Sequence, residues 1–545
     1  MQKLMQFHPL LVGSVIDYAA QTFADVEVVS RSIEGPITRC TYRDVALRSR
    51  KLAQAMLRLG IAPGDRVGGA SWNHNRYLEA FYGVSGMGAV LHTTNPRLFP
   101  EQMAYTINHA GDRAMLVDLD CLPAMEAIAK DIPGVETFVV LTDAAHMPET
   151  SLPNACPYEE LLAAEDGDYD WPALDEQSAS AICYTSGTTG DPKGVVYSHR
   201  STVLHAIANV APNAGNYSYR DTIMPIVALF HGNGWGMPFV APMVGAKLVL
   251  PGRVMEMGAL QALIVDEGVT VSLGVPTIWL SMLEHLKANG GGLGKLKRVV
   301  TGGSAPPAAM MEALERDHGI ETILAWGMTE TQAASTFAMP AEDLTPQDAM
   351  AARQTQGRPL FGHTIRITDE AGDELPRDGK AVGELKVKGH WVATAYYRRD
   401  DAPALDADGW LITGDVATIS PHDELKLTDR SKDVIKSGGE WISSIDLENA
   451  AVGHPDIAEA AVIGIPHPKW QERPALIVVR ADGGTVEGEA LIAWLSDHVA
   501  KWWLPDEVIF VDEIPHTGTG KIDKVRLRQN YAEAQNAKEG GAAAG

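Results

Sequence analysis

Leu296-Lys-Arg-Val-Val300-Thr-Gly302-Gly303-Ser304-Ala305-Pro306-Pro307, with the run Ile323-Leu-Ala-Trp326-Gly327 that follows it, decides the fold. A short apolar run enters a Gly pair, two prolines mark a helix start, and a second apolar run ends in glycine. Strand, Gly-rich turn, helix, strand is the sequence form of an α/β sheet with crossover helices. The same alternation extends outward. Leu260 to Asp266 predicts a helix, Val269 to Leu273 a strand, and Thr277 to Ala288 a helix. Arg43 to Leu59 predicts a helix, with Val45, Leu52, Met56 and Leu59 near one face and Gly60 as its stop. Arg66 to Ser71 predicts a strand, a helical stretch begins at Asn75, and Ala181 to Tyr184 predicts a short buried strand. In such sheets ligands gather at the carboxyl ends of the strands.

Beyond Asp429-Arg430-Ser431-Lys432 the pattern changes. A Gly pair precedes a short helix from Ser444, strands near Ala460 to Ile465 and Ala475 to Val479, a helix over Glu489 to Val499, and a strand over Glu507 to Val511. This predicts a separate α+β unit of about 110 residues, an ordinary domain size. The fold class is therefore α/β: a large N-terminal α/β domain over residues 1–430 and a small C-terminal α+β domain over 431–545. The Ala- and Gly-rich tail from Ala532 is expected to fray.

Composition narrows the function classes. The 545 residues suggest two to four domains and a core that needs no disulfides or structural metal. With 45 basic and 70 acidic side chains the net charge is −25, which disfavours nucleic-acid binding over the whole surface. A content of 45% hydrophobic and 21% charged residues excludes disorder and fibres. The longest apolar runs, such as Met224 to Phe230, fall far short of the roughly 20 residues of a membrane span. The N-terminus lacks the apolar core and small-residue cleavage site of a secretory signal. Cys40, Cys121, Cys156 and Cys183 are scattered, with no Cys-x-x-Cys pair, so a cytoplasmic setting is expected.

The most specific chemistry lies in Tyr184-Thr-Ser-Gly-Thr-Thr-Gly-Asp-Pro-Lys193-Gly. Gly187 and Gly190 allow backbone N–H groups to turn inward, and Ser186, Thr188 and Thr189 add hydroxyls. Lys193 adds a charge, so the segment suits a polyphosphate; a solvated Ser/Thr/Gly loop is the plain alternative. It is not a P-loop, because Lys193 stands between Pro192 and Gly194. Gly518-Thr-Gly-Lys521-Ile fails the same test, with Pro515 in place of the first Gly and Ile522 after the lysine.

The segment from Tyr184 resembles the phosphate-binding signature of the adenylate-forming superfamily, which comprises acyl-CoA synthetases, peptide-synthetase adenylation domains and luciferases. Further signatures follow in order: Trp326-Gly327-Met328-Thr329-Glu330, Thr413-Gly-Asp415, Asp429-Arg430-Ser431-Lys432 and Pro515-His-Thr-Gly-Thr-Gly-Lys521. The resemblance implies ATP, Mg²⁺ and coenzyme A as co-substrates and cofactor, and a mobile C-terminal domain with its hinge at 429–433. It assigns Glu330 and Thr185 to the metal, although Glu330 alone would read as an acid at a helix start. It assigns Asp415 and Arg430 to the ribose, where Asp415 alone would read as a turn former and Arg430 as a surface ion pair. Gly302, Gly303, Ser304 and Ala305 lie against adenine, with Gly302 also at the acyl pocket.

By the same resemblance Lys521, on the loop 515–521, is catalytic: it bridges the substrate carboxylate and the α-phosphate, stabilising charge on both. Lys524 is assigned to the surface. Lys432 is the hinge, and Lys436, Gly438, Gly439, Glu440 and Trp441 line the coenzyme A tunnel. His231 and Trp235, within Leu229-Phe-His-Gly-Asn-Gly-Trp-Gly, are placed at the acyl pocket, with His231 among the catalytic residues. Peptide-synthetase domains carry an Asp near His231 to hold an α-amino group, so His231 favours an acid without one. Trp326 stands where tyrosine is common and is expected to narrow the pocket toward short or medium acids. The whole pattern looks most like the 3-methylmercaptopropionyl-CoA ligases. A generic medium-chain fatty acyl-CoA synthetase, an adenylation enzyme loading a carrier protein, and a nucleotide sensor remain as alternatives. The expected partners are a small carboxylic acid, ATP and CoA, with a homodimer as the assembly.

Overall fold

The computed structural model describes residues 5–185, 191–339, 345–399, 403–437, 440–517 and 522–542. Two large, mostly parallel sheets form the N-terminal body. The first runs in spatial order Ala155–Pro157, Thr137–Val140, Asp112–Val117, Arg66–Ala70, Val90–Thr94, Ala179–Thr185, Lys193–Ser198. All its pairings are parallel except the last, a hairpin. The second runs Arg358–Pro359, Thr336–Phe337, Glu321–Trp326, Arg298–Gly302, Val271–Leu273, Thr222–Pro225, Lys247–Leu250, Glu27–Arg31, Ile37–Thr41. Its central strands are parallel and largely buried, with Val271, Leu273, Val299, Val300, Ile323 and Leu324 supplying most of their apolar surface. The core between the sheets is built on Tyr42, Tyr77, Phe81, Tyr82 and Phe239.

The expected elements are found with small shifts. The helix expected over 43–59 is Tyr42–Arg58, opened by a Thr41/Asp44 capping box, and the strand expected at 66–71 is Arg66–Ala70. An antiparallel sheet follows, His363–Thr368, Gly383–Gly389, Leu411–Ile419 and Leu425–Arg430, ending at the expected hinge. The C-terminal unit is a five-stranded sheet around the hairpin Ile457–His467 and Gln471–Arg480, backed by the helices Ser444–Val452 and Gly488–Ser496. The tail departs from expectation: a helix spans Lys524–Ala542. Its Ala, Gln, Glu, Arg and Lys content favours helix strongly enough to carry the chain past Ala532. Among the described residues no helix is long and apolar enough to cross a membrane.

Candidate active site

The two ends of the signature at 184–194 are antiparallel strands paired with each other. Tyr184 pairs with Gly194 and Thr185 with Lys193, so residues 186–192 connect two antiparallel strands and Lys193 returns opposite Thr185. Gly194 has no side chain because a Cβ there would press on the Tyr184 ring. Ser186, Gly187, Thr188, Thr189 and Gly190 lie outside the described residues.

Glu330 follows the strand Glu321–Trp326 in a single 3₁₀ turn, Thr329–Thr331, and is 6% exposed. Its Oε1 accepts a 2.7 Å hydrogen bond from the Tyr396 hydroxyl. The face of Tyr396 in turn carries the Lys193 ammonium, 4.6 Å from the ring centre. Tyr396 thus joins the phosphate hairpin to the acid of the Thr-Glu motif. Burial, reinforced by Glu330, pushes its hydroxyl well above the ordinary tyrosine value, so it remains a donor. Sequence reasoning missed Tyr396, which belongs to no motif; its only signal is the aromatic pair Tyr396-Tyr397 in a polar loop. The Thr329 carbonyl is fixed by the Tyr197 hydroxyl at 2.7 Å. Gly327 has no room for a side chain, since a Cβ would meet the backbone of Ala333 and Ala334.

Asp415 is 2% exposed and bonded through both oxygens. Oδ1 pairs with Arg430 Nε at 2.8 Å, and Oδ2 accepts from the Trp326 indole N–H at 2.9 Å. The Trp326 indole packs in one cluster with Ile365, Ile367 and Val387 of the antiparallel sheet and orients the Asp415 carboxylate. Gly303 and Ser304 are exposed at the end of Arg298–Gly302, leaving bare backbone at a strand terminus.

The Gly-Asn-Gly-Trp-Gly segment makes a left-handed turn. Gly232, Asn233, Gly234, Trp235 and Gly236 have φ of 53°, 50°, 59°, 54° and 81°. The alternating glycines accept this conformation freely, whereas Trp235 is strained by about 1–2 kcal/mol. The strain is maintained by packing, for Trp235 is 9% exposed and its ring edge reaches the Gly302 position. Asn233 accepts from the Cys183 thiol at 3.1 Å, tying the turn to the strand that leads into the phosphate hairpin. His231, Phe230, Thr185, Pro192, Tyr184, Asn95 and His92 line one cavity at the carboxyl ends of the first sheet.

On the C-terminal side Lys436 lies over the Trp441 ring at 5.6 Å, on paired strands Ile435–Ser437 and Glu440–Ile442. Gly438, Gly439, Lys521 and the Glu440 side chain lie outside what is described. Lys432 is exposed, and its carbonyl accepts from Arg528.

Lys524 is not a surface residue. Its side chain is 12% exposed, pairs with Glu448 at 2.7 Å, and donates to the Ser444 hydroxyl. Ser444 N–H donates to Asp429 Oδ2 at 2.8 Å, so the C-terminal helices close on the hinge strand through this cluster. Burial opposes the charge on Lys524, yet Glu448, Asp429 and Asp433 hold its ammonium above the ordinary lysine value. Burial raises the Asp429 and Glu448 carboxyls.

The AMP-binding enzyme family matches residues 16–397, and the AMP-binding enzyme C-terminal domain matches 446–521. The chain is 46% identical to the medium-chain-fatty-acid–CoA ligase of Ectopseudomonas oleovorans, covering 97% of both chains. It is 45% identical to the 3-methylmercaptopropionyl-CoA ligase of Ruegeria lacuscaerulensis, over 97% of this chain and 99% of that one. Among solved structures, the anthranilate CoA ligase AuaEII with anthranoyl-AMP superposes with a TM-score of 0.86 at 23% identity, covering 97% of this chain and 99% of that one. That likeness shows the fold: a large α/β domain and a smaller C-terminal domain. The chain belongs to the AMP-binding enzyme family of adenylate-forming proteins.

Proposed function

We propose that the chain is an AMP-forming acid–thiol ligase. A carboxylate and ATP give an acyl-adenylate and pyrophosphate; coenzyme A then gives the acyl thioester and AMP. The observation that carries this is full-length agreement with relatives named as CoA ligases, at 44–46% identity over 97% of the chain. Within this reading the residues take the following roles. The hairpin ending at Thr185 and Lys193 receives the phosphates. Asp415, held by Trp326 and Arg430, presents acceptor oxygens to the ribose hydroxyls. Gly302, Gly303, Ser304 and Ala305 offer backbone to the adenine. His231 and Trp235 border the acyl group. Lys521 serves adenylation, and turning about Lys432 brings the 436–441 segment in for the thiol.

A magnesium ion fits the residues present. Glu330 is an enclosed carboxylate linked through Tyr396 to Lys193, which pairs with Thr185 across the hairpin, and Mg²⁺ is ordinarily held by one or two carboxylates with phosphate oxygens and water. When bound, it would neutralise charge on the phosphates. The four cysteines are all free thiols, which suits a reducing cytoplasm.

For the acid, 3-methylmercaptopropionate is the first reading and a medium-chain fatty acid the second, each favoured by a relative of nearly equal identity. The test is a turnover screen over straight-chain acids and 3-methylmercaptopropionate, following AMP with and without CoA. Short or medium acids should turn over only with CoA. Release of ADP, or transfer to a carrier protein in preference to CoA, would overturn the ligase reading.

A further inference from the structure

The strand Val90–Thr94 carries a fully enclosed histidine, His92, whose Nδ1 lies 2.6 Å from Oδ2 of an equally enclosed Asp112. Their strands are not neighbours: Arg66–Ala70 runs between them. The two side chains meet because the intervening position, registered opposite His92, is Gly68. A Cβ on Gly68 would come within 2.8 Å of Asp112 Oδ2 and would strike Met115. A glycine in a central strand weakens it, and here the gap admits a carboxylate.

An imidazole whose Nδ1–H is held by a carboxylate presents Nε2 as an acceptor. Among the described residues His92 Nε2 has no hydrogen-bond partner. His92 lines the same cavity as Thr185 and His231. Those two residues flank the phosphate hairpin and the acyl wall, so the carbonyl of an acyl-adenylate would lie between them, and an attacking thiol must enter that space. The groups facing His92 are Asp112, Arg66 beside Asp112, the Tyr184 ring with centres 5.0 Å apart, His109 bonded to the Tyr184 hydroxyl at 2.7 Å, and His231 across the cavity.

We propose that His92, positioned by Asp112, accepts the thiol proton in the thioester-forming half-reaction. The S–H bond breaks, with its proton passing to Nε2. The sulfur pair forms the C–S bond to the acyl carbon, and the C–O bond to phosphate breaks, releasing AMP with the bonding pair. The imidazolium then returns its proton to solvent. The step rests on the acid–thiol ligase reading, and it assigns the cavity a role separate from Lys521, which serves adenylation.

The test uses the full chain and both half-reactions: pyrophosphate exchange, and thioester formation from CoA and the synthetic adenylate of the best acid in the screen. His92→Asn keeps a donor toward Asp112 and removes Nε2. Pyrophosphate exchange should stay within about twofold. Thioester formation should fall about thirtyfold at pH 7, the thiolate deficit of a thiol with pKa near 8.5, and should recover as pH rises past 9. Asp112→Asn should show the same selective, pH-dependent loss, since the ring would then be free to place its proton on Nε2. A thioester loss independent of pH, no loss, or equal loss of both halves in Asp112→Asn overturns the proposal. If His92→Asn loses both halves, Asp112→Asn decides by the same criteria. A wild-type enzyme that forms no thioester from adenylate and CoA overturns the ligase reading, and His92's role with it.

Discussion

Asp415 and Asp429 stand on neighbouring antiparallel strands of one sheet, each nearly inaccessible to water, yet they are provided for in opposite ways. Val416 pairs with Asp429, and Asp415 pairs with Arg430, so the two carboxylates project from opposite faces. Asp415 is held by Trp326 and by Arg430, whose side chain is 49% exposed; its oxygens can take further donors. Asp429 sits in a closed cluster with Ser444, Glu448 and Lys524 from the C-terminal unit. One face of the sheet leaves its carboxylate beside a half-exposed partner; the other closes its carboxylate against the C-terminal unit. A half-exposed partner leaves a carboxylate available, whereas an enclosed one commits it.

The largest expected effect breaks the closed side. Lys524→Met should destabilise the chain by about 3–5 kcal/mol, because Asp429 and Glu448 would remain buried without a counter-charge. Denaturant unfolding measures it, and adding Glu448→Gln should recover part of the loss. A change under about 1 kcal/mol would show that the cluster does not hold the domain. On the open side, Asp415→Asn should leave unfolding unchanged and lower kcat/KM for ATP about ten- to a hundredfold, the scale of one charge-assisted hydrogen bond. Steady-state kinetics at varied ATP check this, and wild-type kinetics would remove Asp415 from the ribose. Arg430→Ala should act in the same direction but less, by about three- to tenfold, because its guanidinium is half solvated.

The smallest effect sharpens the comparison near the loop 515–521. His516 Nε2 lies 2.7 Å from Glu459 Oε1, and that hydrogen bond raises the histidine pKa against partial burial. A raised folded-state value stabilises below the ordinary histidine pKa of about 6.5, and the contribution disappears as pH climbs through the raised value. His516→Gln should therefore lower stability by only a few tenths of a kcal/mol at pH 6, after solvent screening, and leave it unchanged at pH 9. Parallel melts at the two pH values test the sign.

The alternating strands and helices were legible in the sequence because each strand around Val299, Ile323 or Leu273 is a short, mostly apolar stretch bounded by glycines. The motifs that name Asp415, Arg430 and Glu330 were legible because each is contiguous in the chain. Lys524 was not, because its partners Glu448 and Asp429 belong to a different helix and a different strand. Trp326 was legible as an unusual aromatic, but its bond to Asp415 was not, because that bond depends on the antiparallel sheet packed against it. Tyr396 bridges two motifs without belonging to either. The His92–Asp112 pair depends on a glycine in a third strand, a relation that only sheet order reveals.

The left-handed turn at 232–236 also limits how this wall of the site can diversify. A coil opposite in hand to every helix around it penalises any residue that carries a Cβ. Valine, isoleucine and threonine are barred from position 235 by stereochemistry, whatever their fit to a substrate. Position 234 is closed as well, since even a methyl group would run into Leu229. Position 235 is therefore confined to a short alphabet, and larger changes of shape beside this turn must come from the surfaces opposing it.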